Sequence, residues 1–361
     1  MSDSVQSSSS SRVSAFGVVA GVDGSEQSLR AAHWAAAEAY RRDLPLTVVT
    51  AYALPAFAAS SMDGGYALMD DSALRQGSEK VVAQAKEFLR DFPGKVSFRV
   101  ESGDPAGVLL DYSQDADVLV VGSRGRGGFL GRMLGSVSSA LPAHASCPTV
   151  VVPLKFSAQE SNAVTTATGA IPIVSSSPAE PEPGTAAPPE LIAEGAHPIG
   201  SHDKRPVAVG IDGSEYGRLA ALVAAREAVE RKTELRIVCA LPPVGATLVW
   251  IPTRVSDEGA LEQLRERLEA GRQWLLSHYP DLPMTSQVID GTAVDVLVQE
   301  TKKSQLTVLG TRGRGGFAGM LLGSTSQGVL QHAGGPLMVV PEREDRRLRN
   351  REQFGPMLDG P

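Results

Sequence analysis

Two stretches of this chain combine glycine, arginine and a closing Gly-Ser. One runs Gly122-Ser123-Arg124-Gly125-Arg126-Gly127-Gly128 and ends in Leu134-Gly135-Ser136. The other runs Gly310-Thr311-Arg312-Gly313-Arg314-Gly315-Gly316 and ends in Leu322-Gly323-Ser324. Each follows an apolar run, Val118–Val121 or Leu306–Leu309. These residue types suit an anion. Glycine has no Cβ to hold the backbone away from a ligand. A Gly-Ser placed to open a helix offers unpaired N–H groups, a favourable dipole and a hydroxyl. Arg124, Arg126, Arg312 and Arg314 can balance charge at the rim, and phosphate is the anion that fits such a set. A plain flexible loop between strand and helix is the competing reading, and the repeated spacing weighs against it.

Two familiar phosphate motifs do not match. A P-loop carries lysine directly before its Ser or Thr, whereas Leu134-Gly135-Ser136 has none. A dinucleotide fingerprint follows the first strand of its unit, where this chain has Asp23-Gly24-Ser25-Glu26. The aspartates Asp23 and Asp212 fall at the carboxyl ends of the first strands of two repeats. Open α/β sheets bind ligands there, although Asp-Gly also forms turns. His144 and His332 take equivalent places late in short helices, where a cation is favoured electrostatically; a structural role is preferred to proton transfer. His33, beside Trp34, reads as a packing or surface residue. No Ser-His-Asp order and no metal-spaced His/Cys cluster is present in the sequence.

The elements that must position these residues alternate strand and helix. Phe16–Val22 reads as a buried strand, with Ser25 as N-cap of a helix over Glu26–Arg42. Strands follow at Leu46–Tyr52 and Val96–Val100, separated by a long loop, 54–71, that could serve as a lid and a helix over 72–90. Asp104-Pro105 opens a further helix. Val118–Val121 feeds the first glycine stretch, a short helix spans Ser136–His144, and Pro148–Pro153 closes the unit, stopped by proline. The pattern then recurs: Val207–Glu215 matches Val18–Glu26, Leu235–Ala240 matches Leu46–Ala51, helical sequence around Leu261–Leu276, a strand near Ser286–Ile289 and a helix from Ala293 follow, and Pro336–Pro341 closes the second unit. Alternation of this kind predicts parallel sheets covered on both faces. The expected division is a disordered tail over 1–15, a first domain over 16–155, a linker over 156–205, a second domain over 206–342 and a tail over 343–361. The linker is rich in Ser, Thr, Ala, Pro and Glu and cannot bury a core.

Composition agrees with a soluble protein. The chain has 361 residues, 42% hydrophobic and 21% charged, with a formal charge of −7. That balance argues against a dedicated nucleic-acid binder, and no apolar run approaches a membrane span. Met1–Ser11 lacks the apolar segment of a secretion signal. The two cysteines, Cys147 and Cys239, read as buried structural thiols in a reducing compartment. A cytoplasmic location is expected.

Gly-x2-Gly-x9-Gly-Ser after a fourth strand, with Asp after the first, resembles the ATP-binding branch of the universal stress proteins. The resemblance covers both repeats. It implies two tandem five-stranded parallel α/β sandwich domains of the adenine-nucleotide hydrolase-like, Rossmann-like kind. Carried over residue by residue, it implies that Asp23 meets the ribose or adenine side of the nucleotide and that Ala51 lines the adenine slot. Gly122 and Gly125 would pass beneath the ribose and phosphates, and Gly135, Ser136 and Val137 would hold the phosphates. The second set is Asp212, Ala240, Gly310, Gly313, Gly323, Ser324 and Thr325. The implied ligand is ATP, with magnesium compatible, and the implied role is a nucleotide-dependent regulator of stress adaptation, not an enzyme. A slow ATPase or self-phosphorylating protein and a nucleotide-free dimerisation module are the alternatives. The two halves are expected to pair through Val150–Val152 and Leu337–Val340, since an unpaired edge is a liability, leaving homo-oligomers or a protein partner open. Asp104-Pro105 becomes Thr292-Ala293 in the second half, which raises the expectation of unequal affinities.

Overall fold

A computed structural model describes residues 15–53, 71–125, 134–153, 203–242, 257–313 and 321–349. The expected lid loop up to 70, the linker up to 202, the first tail up to 14, the second tail beyond 349, Arg126 and Arg314 lie outside the described residues. Within the expected second tail, Arg346–Arg349 forms a 3-10 helix and Leu348 packs against the core. In the first half, strands β1 (Gly17–Gly21), β2 (Leu46–Tyr52), β3 (Val96–Ser102), β4 (Ala116–Gly122) and β5 (Thr149–Val152) alternate with helices α1 (Glu26–Arg41), α2 (Asp71–Phe88), α3 (Pro105–Tyr112) and α4 (Ser136–His144). The second half repeats the order. Its strands are β6 (Val207–Gly210), β7 (Leu235–Leu241), β8 (Met284–Asp290), β9 (Leu306–Gly310) and β10 (Leu337–Val340), and its helices are α5 (Glu215–Glu230), α6 (Asp257–His278), α7 (Ala293–Lys303) and α8 (Ser324–His332).

The ten strands form one sheet in the order β3-β2-β1-β4-β5-β10-β9-β6-β7-β8. Within each half all neighbours are parallel. The central strands read as continuous apolar runs because both their faces are covered: β1, β5, β9 and β10 are buried throughout. Successive side chains point to opposite layers. Val18 and Ala20 join one core with the alanines of α1, and Val19 joins the other with Leu109 and Leu141. Ala31, Ala32, Ala35, Ala36 and Ala39 are fully buried; with no side chain beyond Cβ they let α1 lie close on the sheet. Ser25 caps α1 by accepting from Ser28 N–H, and Ser214 caps α5 by accepting from Gly217 N–H. Both cysteines are buried thiols, and burial pushes the Cys147 thiol up to about 12.

The halves meet where β5 and β10 pair antiparallel, with Val150 opposite Met338. Beside this seam the ends of α1 and α5 bring charges together in a buried cluster. Glu38 accepts from Arg42 Nε at 2.6 Å and from Arg231 Nη2 at 2.6 Å, and it also pairs with Arg41. Glu227 pairs with Arg42 and with Arg231. Both glutamates are fully buried. The Arg231 guanidinium lies 5.7 Å from the centre of the Trp34 ring. Burial alone would raise the Glu38 carboxyl, but the guanidinium groups of Arg231, Arg42 and Arg41 outweigh it and hold the group far below the usual carboxylate range. Glu38, Glu227 and Glu230 form a carboxylate group tight enough for a metal ion, yet arginines already balance their charge.

Candidate functional site

Each half carries a cavity at the carboxyl ends of its central strands. The first has a volume of about 360 Å³, and Asp23, Ala51, Gly122, Gly125, Gly135, Ser136 and Val137 all line it. The second has a volume of about 420 Å³, and Asp212, Ala240, Gly310, Gly313, Gly323, Ser324 and Thr325 all line it. Parallel pairing explains the convergence. β1 lies between β2 and β4, so Asp23, Ala51 and Gly122 emerge at the same end of the sheet, although far apart in sequence.

The aspartates divide their oxygens between two tasks. Asp23 Oδ1 accepts from Ser25 N–H at 3.0 Å and from the Ser25 hydroxyl at 2.6 Å. Asp212 Oδ1 accepts from Ser214 N–H at 3.0 Å. This fixes the turn, in which Gly24 and Gly213 adopt φ of 80° and 82°, a region glycine enters without steric cost. The other oxygen faces the glycine stretch. A Cβ on Gly125 would overlap Asp23 Oδ2, and one on Gly313 would overlap Asp212 Oδ2. These glycines therefore make room for a carboxylate of the site itself, a reason that the sequence reading, which assigned them to ligand approach, did not contain.

The helix starts need a similar refinement. Gly135 N–H is taken by the Ser123 carbonyl at 2.9 Å, with Ser138 Oγ also at 2.9 Å. Gly323 N–H is taken by the Thr311 carbonyl at 2.7 Å. Ser138 Oγ donates to the Ser123 carbonyl, and Ser326 Oγ to the Gly310 carbonyl, each at 2.7 Å. These bonds clamp the glycine turn onto the strand end. The donors left for an anion are the following first-turn groups, N–H of Ser136 and Val137 and of Ser324 and Thr325, as the start of any helix supplies. Gly135 and Gly323 act as N-caps without a side chain, which leaves that face of the turn open.

Apolar residues absent from the sequence-based set complete the first cavity: Val49, Leu109, Val121 and Leu134, with Pro105 and Arg124 at its edges. The signal for Leu109 was available, since it lies one turn into the helix that Asp104-Pro105 opens. The departure at Asp104 and Thr292 has a local explanation. Asp104 caps α3 by accepting from Gly107 N–H at 2.9 Å, and Thr292 caps α7 by accepting from Asp295 N–H at 3.2 Å. Both are good N-caps, and of these two dipeptides only Pro105 and Ala293 line the cavities. His144 and His332 are exposed in the last turns of α4 and α8, at the helix ends remote from Ser136 and Ser324. His33 stacks edge-on to Phe88.

Taken together, the fold and its two cavities define a tandem α/β protein with a cavity at the strand ends of each half. Residues 17–153 and 204–341 both match the model of the universal stress protein family, and the chain belongs to that family. It is 33% identical over 348 residues to the universal stress protein Rv2623 of Mycobacterium tuberculosis, covering 92% of this chain and 99% of the relative. It is 34% identical over 333 residues to the universal stress protein Rv2005c of the same species, covering 90% and 96%. Among solved structures it resembles a universal stress protein from Archaeoglobus fulgidus, with a TM-score of 0.57 at 16% identity, covering 91% of this chain and 97% of the other.

Proposed function

We infer that each half binds one adenine nucleotide, ATP with or without magnesium, and that occupancy regulates the protein's contacts during stress adaptation. One observation carries this reading: fourteen residues chosen from sequence fall into two sets of seven, and each set lines a single cavity. Both volumes lie within the usual range of small-molecule sites. In each site apolar walls suit a base, the aspartate suits a ribose hydroxyl, and the open first turn suits phosphate.

A binding role is preferred to catalysis because the histidines stand at the wrong end of α4 and α8. A nine-residue helix is roughly 12 Å long, too far for contact between His144 and a phosphate at Ser136. The domains are taken as 16–155 and 206–342, acting in the cytoplasm as an intramolecular pair. To test binding against turnover, the protein is incubated with radiolabelled ATP, separated from free nucleotide and quenched in acid. The reading expects the bound label to be recovered as ATP after hours. Steady release of labelled phosphate that disappears in a Ser136→Ala, Ser324→Ala variant would favour the enzyme instead.

A further inference from the structure

Besides the differences in their linings, the two cavities differ at a position behind the wall that lines neither of them. Gln27 and Tyr216 are equivalent, each the second residue of the helix after the aspartate turn. Both pack on the first glycine of the local signature. A Cβ on Gly122 would stand 3.0 Å from Gln27 Cγ, and one on Gly310 would stand 2.8 Å from Tyr216 Cβ. From this shared place the side chains go different ways. Gln27 is buried and turns toward the sheet, with Nε2 donating to Ser123 Oγ at 2.6 Å and to the Val152 carbonyl at 3.2 Å. Tyr216 instead donates from its hydroxyl to Glu342 Oε2 at 3.0 Å and accepts from Arg312 Nη1 at 3.2 Å. The Arg312 guanidinium carbon lies 5.7 Å from the centre of the Tyr216 ring.

Arg312 lines the second cavity, and its Cα would lie 3.4 Å from a Cβ on Gly323. It therefore stands beside the helix start that receives the anion. Its Nε is buried and has no hydrogen-bond partner among the described residues. A buried charged donor without an acceptor is costly, and an anion in the cavity would relieve that cost. A guanidinium held over an aromatic ring and by a hydroxyl also loses less freedom on binding than an unrestrained one.

We propose that Tyr216, braced by Glu342, is a positioning residue that holds Arg312 ready for the phosphate chain in the second site, so that this site favours nucleoside triphosphate over monophosphate more strongly than the first. The inference rests on the nucleotide-binding reading above. It assigns the inequality of the two sites to Tyr216 against Gln27 and not to the caps Asp104 and Thr292.

The test uses full-length chains with one site blocked, Gly135→Val to isolate the second site and Gly323→Val to isolate the first. ATP and AMP are titrated calorimetrically into each. The ATP-to-AMP affinity ratio is expected to be about tenfold greater at the second site, the worth of one charged hydrogen bond. Adding Tyr216→Gln to the Gly135→Val chain should bring the ratio down to that of the first site, chiefly by weakening ATP. Glu342→Gln, which leaves the ring in place, should move it the same way by less. A ratio unchanged by both substitutions, with ATP still bound, overturns the positioning role alone. Absence of binding by either nucleotide to either chain overturns the nucleotide reading and the inference with it.

Discussion

At the residue scale, the contacts of Gly125 and Gly313 are the sharpest statement the structure makes. Each leaves space that an aspartate oxygen occupies. Gly125→Ala should push the Asp23 carboxylate out of place and weaken ATP at the first site by more than about tenfold, a loss equivalent to one displaced charged hydrogen bond. Gly77→Ala is the matched control, because a Cβ there meets nothing within 4 Å among the described residues. It should leave ATP binding alone and raise stability by about 0.5–1 kcal/mol, since alanine is the better helix former. Titration calorimetry and thermal unfolding of the two variants check both halves of this expectation. The sequence showed which glycines mattered through their spacing. It did not show that the steric demand comes from Asp23 and Asp212, because that contact forms only when β1 and β4 lie side by side.

At the element scale, α4 and α8 do two things with one terminus. Their first-turn N–H groups face the cavities, and their N-cap glycines add no side chain to the opening. A negative charge at the first helical position would satisfy the dipole and oppose a phosphate. Ser136→Asp is therefore expected to raise stability by about 0.3–1 kcal/mol while reducing affinity for ATP, with opposite signs in unfolding and binding measurements. A variant that loses stability and keeps its affinity would show that phosphate is not held there. Element boundaries were largely legible in the sequence. The span of α4, Ser136–His144, and the start of α7 at Ala293 agree with the caps and spacing that announced them. The chief differences are at ends without a sharp stop signal. α2 ends at Phe88, before Arg90, and β3 continues through Ser102, where β2 still offers a partner in register.

At the scale of the whole molecule, the seam between the halves combines backbone pairing with buried charge. The charge cluster was not anticipated, because Glu38, Arg42, Glu227 and Arg231 look like ordinary polar residues at helix ends. A clue was present nonetheless: both repeats carry Glu and Arg four residues apart at matching places. Removing one member leaves the others uncompensated. Arg42→Met should destabilise the chain by about 3–5 kcal/mol, whereas replacing Glu38, Arg42, Glu227 and Arg231 together by apolar residues should cost much less. Chemical denaturation of the two variants distinguishes these costs.

The same cluster sets an acid limit. The Glu38 carboxyl is depressed in the folded state from its ordinary value of 4.5. Its contribution is thus present above that value and lost as the pH falls below it. Glu230 is raised, chiefly by burial, so its contribution is full below its ordinary value and is lost as the pH rises through the folded one. Stability should therefore hold or increase slightly as the pH falls from neutral toward the ordinary carboxylate value, then fall steeply below about 4.5. Glu38→Gln should flatten the acid limb in a series of unfolding curves.

The central claim is that the two cavities are separate nucleotide sites built from the same parts. Gly135 and Gly323 permit a direct test, since among the described residues, chain neighbours aside, a Cβ on either comes no nearer than 3.5 Å and 3.4 Å respectively to another atom. The fold can accept a side chain there while the cavity loses space beside the helix start. Calorimetric titration with ATP should give two sites in the parent chain, one in Gly135→Val, one in Gly323→Val and none in the double variant. Undiminished ATP binding by a folded double variant would contradict the assignment of both sites.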